Sequence, residues 1–341
     1  MKRKALVVLP ELETGGGQRM AISIVQRIKM PELQVRILVL YPRRGDILEH
    51  LADEYELDIQ YLHKRSGADL RCIFEIYQAI CAFRPDVIHA HLRVMPYLLV
   101  PMCFSGMSRR YYTVHNLAPK DAVGVRRQIL KFAFHHCNVQ PIAISELCRK
   151  SITETYGIPE QKIQCIYVGI DIKRFARPWD YEIKTPFRFG AVGRLSGQKN
   201  YPLMFRAFAD IHCRFPNTEL VIVGDGELKE SLNALCAELE LSRAVLFTGI
   251  IPDVEKYLWS AHAYLMSSDY EGLPQTVLEA MAAGLPVVST RAGGVVDVVE
   301  NGRNGFLVDC GDLAGFITAM ENLLQSSELC KRFSEDCSKF S

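Results

Sequence analysis

Apolar residues along this chain come in short continuous runs, separated by longer stretches in which they recur every third or fourth position. The runs KALVVLP (4–10), QVRILVLY (34–41), DVIHAH (86–91), RRYYTVH (109–115) and PIAIS (141–145) have the length and composition of strands buried on both faces. Between them, segments such as GGQRMAISIVQRIK and LRCIFEIYQAICAF carry helical spacing. Strand and helix in alternation predict a parallel sheet covered by helices. The stretch YEIKTPFR (181–188) has little periodicity, and then the alternation restarts. FRFGAVGR (187–194), ELVIVGDG (219–226), AVLFTGI (244–250), AYLMSS (263–268), LPVVST (285–290) and GFLVD (305–309) read as a second strand set. Helices fit the intervals 200–213, 227–240 and 274–283. The pattern therefore predicts two α/β halves with a junction near 170–185. Open α/β sheets bind ligands beyond the carboxyl ends of their strands, so a cleft between two such halves is the expected site.

Composition agrees with a packed protein. Of 341 residues, 49% are apolar and 23% charged, which suits two globular domains and excludes a disordered chain. No apolar run reaches the ~18 residues of a membrane span. The best candidate, VMPYLLVPMCF (94–104), is short and holds two prolines. The opening MKRKALVVLPE reads as a buried first strand rather than a signal peptide. Eleven cysteines without a C-x-x-C pair read as free thiols in a reducing cytosol, ahead of a zinc site or a disulfide framework.

Charge adds an asymmetry. Residues 1–180 hold 26 Lys+Arg against 18 Asp+Glu, a net of +8, and residues 181–341 hold 14 against 21, a net of −7. Residues 101–150 alone carry eight basic and two acidic side chains. Either the first half faces an anionic partner or this is ordinary surface variation. VRRQILKFAFHH (125–136) reads as an amphipathic helix, packed on its own domain or touching a membrane surface.

Several stretches just after strands carry candidate chemistry. GRLSGQKN places Arg194 and Lys199 on one loop, where two cations can clamp a diphosphate; the plainer reading is a solvated loop. ELVIVGDGELKE has Gly224 and Gly226, but Lys229 stands where a dinucleotide fingerprint needs its third glycine, so a tight turn is favoured there. TGGGQRM (14–20) puts Gly15, Gly16 and Gly17 before the first helix, more glycine than a turn needs and suited to backbone amides approaching an anion. In SDYEGLPQTVLEAMAAGLP, Pro274 suits a first helical turn and Gly284 a C-terminal cap. Amides of Leu273, Gln275 and Thr276 would then face a phosphate. Glu271 would hang beside it and Glu279 would lie further along the helix in an apolar context, where an ionised carboxylate needs a partner. The competing reading makes Glu271 a dipole partner and Glu279 a solvated helix residue. His89 and His91 alternate on DVIHAHL; a metal pair lacks a third ligand, so satisfied sheet-end histidines are favoured, with His91 lining the acceptor side.

These stretches together resemble the retaining glycosyltransferases of family 4, which have the GT-B fold. The resemblance rests on EGLPQTVLE (Glu271 to Glu279), GR with Lys199, VGDGE, FTG, EAMAAGLPVV and AGGVVDVVENGRNGFLV, with GGGQR, DVIHAHL, TVHN, IAIS and VGID in the first half. It implies two Rossmann-like domains with parallel sheets facing across a cleft: an acceptor-side domain over 1–175 and a nucleotide-sugar domain over 176–341. It implies that Arg194 and Lys199 bind the donor diphosphate and that Glu279 holds the ribose hydroxyls. Glu271 would contact the donor sugar, with Gly272, Leu273 and Thr276 offering amides to sugar and phosphate. Gly16, within Gly15–Gly17, would face phosphates and acceptor, and His115 would lie near the transferred sugar. The base would stack on the loop around Ile251. Glu271, His115, Arg194 and Lys199 are the expected catalytic group, with neither a metal nor another cofactor and no protein nucleophile. The expected partners are a UDP- or GDP-sugar donor, a glycan or lipid-linked acceptor of cell-envelope polysaccharide or lipopolysaccharide synthesis and an anionic membrane surface, with no nucleic acid. The expected location is cytoplasmic, at the inner face of the plasma membrane. Two departures stand out: Val168 occupies a position where the family often has Asn, and the final helix crossing back to the first domain is expected to be short or missing. The rival activities are a GT-B sugar-nucleotide epimerase, which needs further acid/base carboxylates, a phosphorylase, for which the chain is too short, and a non-catalytic sugar-nucleotide-binding subunit.

Overall fold

The computed structural model describes residues 2–13, 15–28, 30–104, 106 and 109–340; Thr14, which opens the glycine-rich stretch, lies outside the described residues. The chain forms two compact units, Met1–Val168 and Gly169–Ser341.

The first unit is built on seven strands: β1 (Arg3–Leu9), β2 (Leu33–Val39), β3 (Ile59–Tyr61), β4 (Val87–His91), β5 (Arg109–Val114), β6 (Val139–Ala143) and β7 (Gln164–Cys165). Their order is β3-β2-β1-β4-β5-β6-β7, and every pairing is parallel. Alternate residues of a strand point to opposite faces, so both faces are apolar. Leu6, Val8, Leu38 and Ile88 enter one core, with Ile76, Leu98 and Leu130 from helices Leu70–Phe83, Met95–Phe104 and Val125–His136. Val7, Leu9, Ile37 and Val39 enter the other, with Ile22 and Leu48 from helices Gly16–Arg27 and Ile47–Glu54. The strand order reverses between β1 and β4, and chains leaving those two strands diverge, which opens a crevice at their carboxyl ends.

The second unit repeats the plan with β8 (Phe187–Val192), β9 (Thr218–Val223), β10 (Val245–Gly249), β11 (Ala263–Met266), β12 (Val287–Thr290) and β13 (Gly305–Val308). Their order is β10-β9-β8-β11-β12-β13, all parallel, with the reversal between β8 and β11. Phe189, Phe205, Phe208, Phe316 and Phe333 fill its core. Residues 169–175, which the sequence reading places in the first domain, are held here: Arg174 pairs with Glu255 at 2.8 Å, and the Trp259 indole donates to the Phe175 carbonyl at 2.7 Å.

The apolar 94–104 stretch is the helix Met95–Phe104, preceded by a single 3-10 turn Leu92–Val94. Among the described residues, no helix is long and apolar enough to cross a membrane. All eleven cysteines are free.

Candidate active site

In the second unit the site grows from the loops after β8 and β11, the two strands flanking the reversal. The β8 loop is pinned from beneath. A Cβ on Gly226 would lie 2.5 Å from the Leu195 carbonyl oxygen, and one on Gly224, at φ +144, would lie 2.0 Å from that of Gly193. Both glycines are therefore required for close backbone approach. The loop is also sewn to the one after β11. Ser267 Oγ donates to the Lys199 carbonyl at 2.8 Å, Gln198 Nε2 donates to the Tyr270 carbonyl at 2.9 Å, and Asn200 Nδ2 donates to Asp269 at 2.8 Å.

This sewing brings the two predicted loops into direct contact. Lys199 Nζ donates to Glu271 Oε1 at 2.7 Å, with the side chains only 17% and 10% exposed. Ser268 Oγ donates to the same oxygen at 2.8 Å. A carboxylate withdrawn from water needs such compensation, and charge-assisted bonds supply it. The ammonium keeps two further N–H groups, and the carboxylate keeps Oε2. Arg194 lies apart from this pair: its Nε bonds Glu227 Oε2 at 3.2 Å on the surface.

Sequence reasoning missed the support behind Glu271. Gly293 has φ +63, and a Cβ there would stand 1.8 Å from the Glu271 carbonyl oxygen. Gly294 N donates to the Gly272 carbonyl at 2.6 Å. The signal was the glycine pair in AGGVVD, which periodicity alone does not separate from a turn.

The predicted helix spans Gln275–Ala282. Pro274 is its extended N-cap rather than a residue of its first turn, and no side chain caps the start. Val277 N bonds the Pro274 carbonyl at 3.1 Å, and the amides of Gln275 and Thr276 lie at the N-terminus. Such a start attracts an anion through its amides and dipole. Gly284, at φ +70, follows the C-cap Ala283. Glu279 is buried in this helix. The buried Tyr264 phenol has its pKa raised, first by burial and further by the charges of Glu279 and Glu271. Both carboxylates thus flank one phenol, whose hydroxyl bonds the Val192 carbonyl at 3.2 Å. Gly272 and Leu273 are buried in the approach to the helix, and half-buried Ile251 follows β10.

In the first unit, Gly15 is the extended N-cap and Gly16 the first residue of helix Gly16–Arg27. A Cβ on Gly17 would meet Leu92 Cδ2 at 2.9 Å and His115 Nδ1 at 3.1 Å, so the helix start rests on the His115 ring. His115 Nε2 shares a hydrogen bond of 3.0 Å with His91 Nδ1. The His91 ring lies 4.1 Å from that of His89, whose Nε2 meets Thr113 Oγ1 at 2.7 Å. Burial pushes His89 down to about 4 and His115 to about 3, and lowers His91 as well, so all three imidazoles are neutral at pH 7. The His115 amide donates to Asp121 Oδ1 at 3.0 Å, and the Tyr112 hydroxyl donates to Oδ2 at 2.9 Å. Burial lifts Asp121 to about 6. The sequence singled out His91 and His115 separately; the structure joins them through parallel pairing of β4 with β5, and adds Thr113 and Asp121. Among the described residues, no three His, Cys, Asp or Glu side chains are grouped to hold a metal ion.

Comparison with known proteins follows this division. Residues 14–174 match the family model described as Glycosyltransferase Family 4, and residues 174–340 match Glycosyl transferases group 1. The chain is 28% identical over 330 residues to the UDP-Gal:alpha-D-GlcNAc-diphosphoundecaprenol alpha-1,3-galactosyltransferase of Escherichia coli, covering 88% of this chain and 84% of that protein. It is 35% identical over 168 residues to the lipopolysaccharide core biosynthesis glycosyltransferase LpsE of Rhizobium meliloti, covering 49% of this chain and 47% of that relative's length. Among solved structures, Anabaena HepE in complex with UDP and glucose superposes with a TM-score of 0.84 at 18% identity, covering 99% of this chain and 94% of that one. The apo lipopolysaccharide outer core galactosyltransferase WaaB gives 0.74 at 21%, covering 99% and 95%. With the two family models lying end to end over residues 14–340, the chain belongs to the family 4, group 1 glycosyltransferases and has their GT-B fold.

Proposed function

We propose that this glycosyltransferase moves a sugar from a nucleotide-sugar donor to a glycan or lipid-linked acceptor of cell-envelope polysaccharide or lipopolysaccharide synthesis, with retention of anomeric configuration and without a metal ion. The observation that carries the reading is the Lys199–Glu271 pair, reached by two loops of a family 4 chain and followed by an uncapped helix start. In this reading the C1–oxygen bond to the donor diphosphate breaks and the acceptor oxygen bonds C1 on the same face. Its proton passes to the departing phosphate oxygen. Negative charge grows on the diphosphate, and the Lys199 ammonium, Arg194 and the Gln275 and Thr276 amides stabilise it. Glu271 Oε2 holds sugar hydroxyls, and Glu279 holds the ribose. His115, neutral and braced by His91, meets the transferred sugar as a hydrogen-bonding group. Gly16 faces phosphate and acceptor, and Ile251 lies against the base. The relatives' names favour UDP-galactose or GDP-mannose classes of donor, since one acts with UDP-Gal and another, a mannosyltransferase of Mycolicibacterium smegmatis, is GDP-mannose-dependent. The eight basic against two acidic residues of 101–150 support a reading in which the first unit docks on the cytoplasmic face of a membrane.

A thermal-shift screen with UDP-, GDP- and ADP-sugars tests the donor assignment, because a ligand at a hundred times its Kd stabilises by about 2.7 kcal/mol. One nucleotide class should raise Tm well above the others; no shift with any of them defeats the donor reading. Product NMR then gives the anomer, and an inverted product ends the retaining assignment. Turnover should persist in EDTA. Complete loss, restored by magnesium or manganese, would show that the site chemistry is wrong.

A further inference from the structure

A second site lies wholly within the first unit. A cavity of about 470 Å³ opens at the carboxyl ends of β1, β2, β3 and β4, over the β1/β4 reversal. This is where an open parallel sheet presents a ligand crevice. Four cations line it: Arg44 after β2, Lys64 after β3, Arg93 after β4, and Arg126 from helix Val125–His136. Two of them are already balanced. Arg44 pairs with Glu13 at 2.6 Å, and Arg93 with Glu11 at 3.0 Å.

The other two are not. Lys64 is only 7% exposed, yet its Nζ meets neutral groups: the Tyr41 hydroxyl at 3.0 Å and the Arg65 and Gly67 carbonyls at 2.8 and 3.0 Å. The Tyr41 and Tyr97 rings each lie 4.6 Å from it, a cation–π arrangement that tolerates an ammonium without neutralising it. Among the described residues no carboxylate forms an ion pair with Lys64 or Arg126. The Asp121 charge acts on Arg126 from nearby, but that carboxylate is bonded by Tyr112 and the His115 amide. The Tyr41 hydroxyl and the two carbonyls occupy all three ammonium N–H groups, so Lys64 offers the cavity its charge, and an N–H only where an anion displaces one of them. A buried ammonium with no carboxylate partner among the described residues still favours a counter-anion in the cavity it lines.

We propose that this cavity receives a phosphoryl group carried by the acceptor substrate. Two positive charges without an ion-paired carboxylate match the charge of about −1.5 to −2 on a phosphate ester better than the single charge of an acidic sugar. The remaining volume and the two tyrosine rings suit the sugar attached to that phosphate. The site is continuous in sequence with the predicted acceptor residues: Glu11 and Glu13 precede Gly15, and Arg93 follows His91. The proposal rests on the acceptor-side reading of the first unit. The phosphoryl group has two sources, a lipid-linked diphosphate or a sugar monophosphate.

Isothermal titration calorimetry of the full chain with inorganic pyrophosphate tests it, with the nucleotide site first saturated by the nucleoside diphosphate that thermal shift selects. Pyrophosphate should still bind, and Lys64→Met and Arg126→Gln should each weaken it tenfold or more, while Arg194→Ala should not. Tenfold tighter pyrophosphate than inorganic phosphate indicates a diphosphate-linked acceptor; equal affinities indicate a monoester. Absence of pyrophosphate binding, unaltered binding in Arg126→Gln, or tighter binding of glucuronate overturns the assignment. Arg126 is half-buried and forms no ion pair among the described residues, and Arg126→Gln keeps a polar, helix-compatible side chain, so this variant decides the matter even if Lys64→Met does not fold. Should no nucleoside diphosphate shift Tm, the donor reading fails separately, and the same titration on the unliganded chain still reports on this cavity.

Discussion

In the second unit the buried Glu271 carboxylate is balanced by Lys199 and Ser268, whereas in the first unit the buried His89, His91 and His115 are held neutral and linked ring to ring. Both clusters sit at the carboxyl ends of strands beside the reversal of a parallel sheet, and both adjoin a helix start with no side-chain cap. The same architecture therefore hosts two electrostatic solutions. Charged groups that are already paired cost little reorganisation when charge develops next to them. Neutral imidazoles orient hydroxyls without attracting counter-ions. Under the proposed function, the contrast suits a donor site where a diphosphate departs and a sugar-facing site where hydrogen bonds must be placed.

The largest expected effect comes from breaking the charged pair. Lys199→Ala should cost donor turnover tenfold to a hundredfold, since a charge-assisted phosphate contact is worth about 1.5–3 kcal/mol. It should also lower stability by about 3 kcal/mol by leaving a buried carboxylate unpaired. Arg194→Ala should match it in direction for turnover but change stability by less than about 1 kcal/mol, because its pair with Glu227 is a surface one. Kinetics together with denaturant melts separate these outcomes. Equal stability losses in the two variants would erase the distinction between a structural and a ligand-facing cation.

Backbone support comes next. Gly293→Ala places a methyl against the Glu271 carbonyl at a left-handed φ, so it should displace the Glu271 loop and cost about 2–3 kcal/mol with loss of donor binding. Gly17→Ala meets only side chains, those of Leu92 and His115, and should cost less. Nucleotide affinity should fall in the first variant and hold in the second.

How much of this was legible in the chain follows from range. Six strands of the second unit and five of the first announce themselves as apolar runs, and the helix Leu70–Phe83 coincides with its periodic stretch. β3 and β7, at three and two residues, are too short for any period to register. The candidate site residues were legible singly, each after a strand. Their partnerships were not: Lys199 and Glu271 are 72 positions apart, and only pairing of β8 with β11 brings their loops together. The role of Gly293 is likewise invisible, since a glycine needed for close approach reads like a glycine in a turn. Lys64 gave no local signal, because its burial depends on four strands converging.

Acid should then separate the two regions more gently. The histidines have folded pKa values below their usual 6.5, so the folded state binds fewer protons and stability falls as pH drops from 6.5 towards 4. At pH 5, His89 and His115 each forfeit about 2 kcal/mol, and His91 adds in the same direction. Asp121, raised to about 6, works oppositely and returns part of that loss. The second unit has His262, lowered to about 4, as its one such histidine among the described residues. Both tryptophans lie in that unit, so fluorescence follows it while amide exchange follows the first. Exchange in the first unit should rise at pH 5 before fluorescence changes, and His89→Gln should flatten that rise. Simultaneous loss in both units would dissolve the contrast.

The smallest effect concerns the outer surface of the first unit. Helix Val125–His136 packs on its own domain through Leu130 and Ala133, which accounts for one of the two readings its sequence allowed. Its outer side keeps Phe132 54% exposed, next to Lys131 and His136, and the neighbouring helix Met95–Phe104 ends at Phe104, 77% exposed. Arg127 is committed to the Ala122 and Pro119 carbonyls, so docking would fall to Lys131 and these aromatic rings. A base near an anionic leaflet contributes on the order of 1 kcal/mol, and a partly inserted ring adds to it. Co-sedimentation with phosphatidylglycerol-containing vesicles at low salt should retain the wild type. Lys131→Glu with Phe132→Ser should release it several-fold, leaving pyrophosphate binding through Lys64 and Arg126 intact. A wild type that ignores these vesicles, or a double variant that binds them equally, would mean that the basic face only keeps the domain solvated and that a phosphoryl acceptor reaches its cavity from solution.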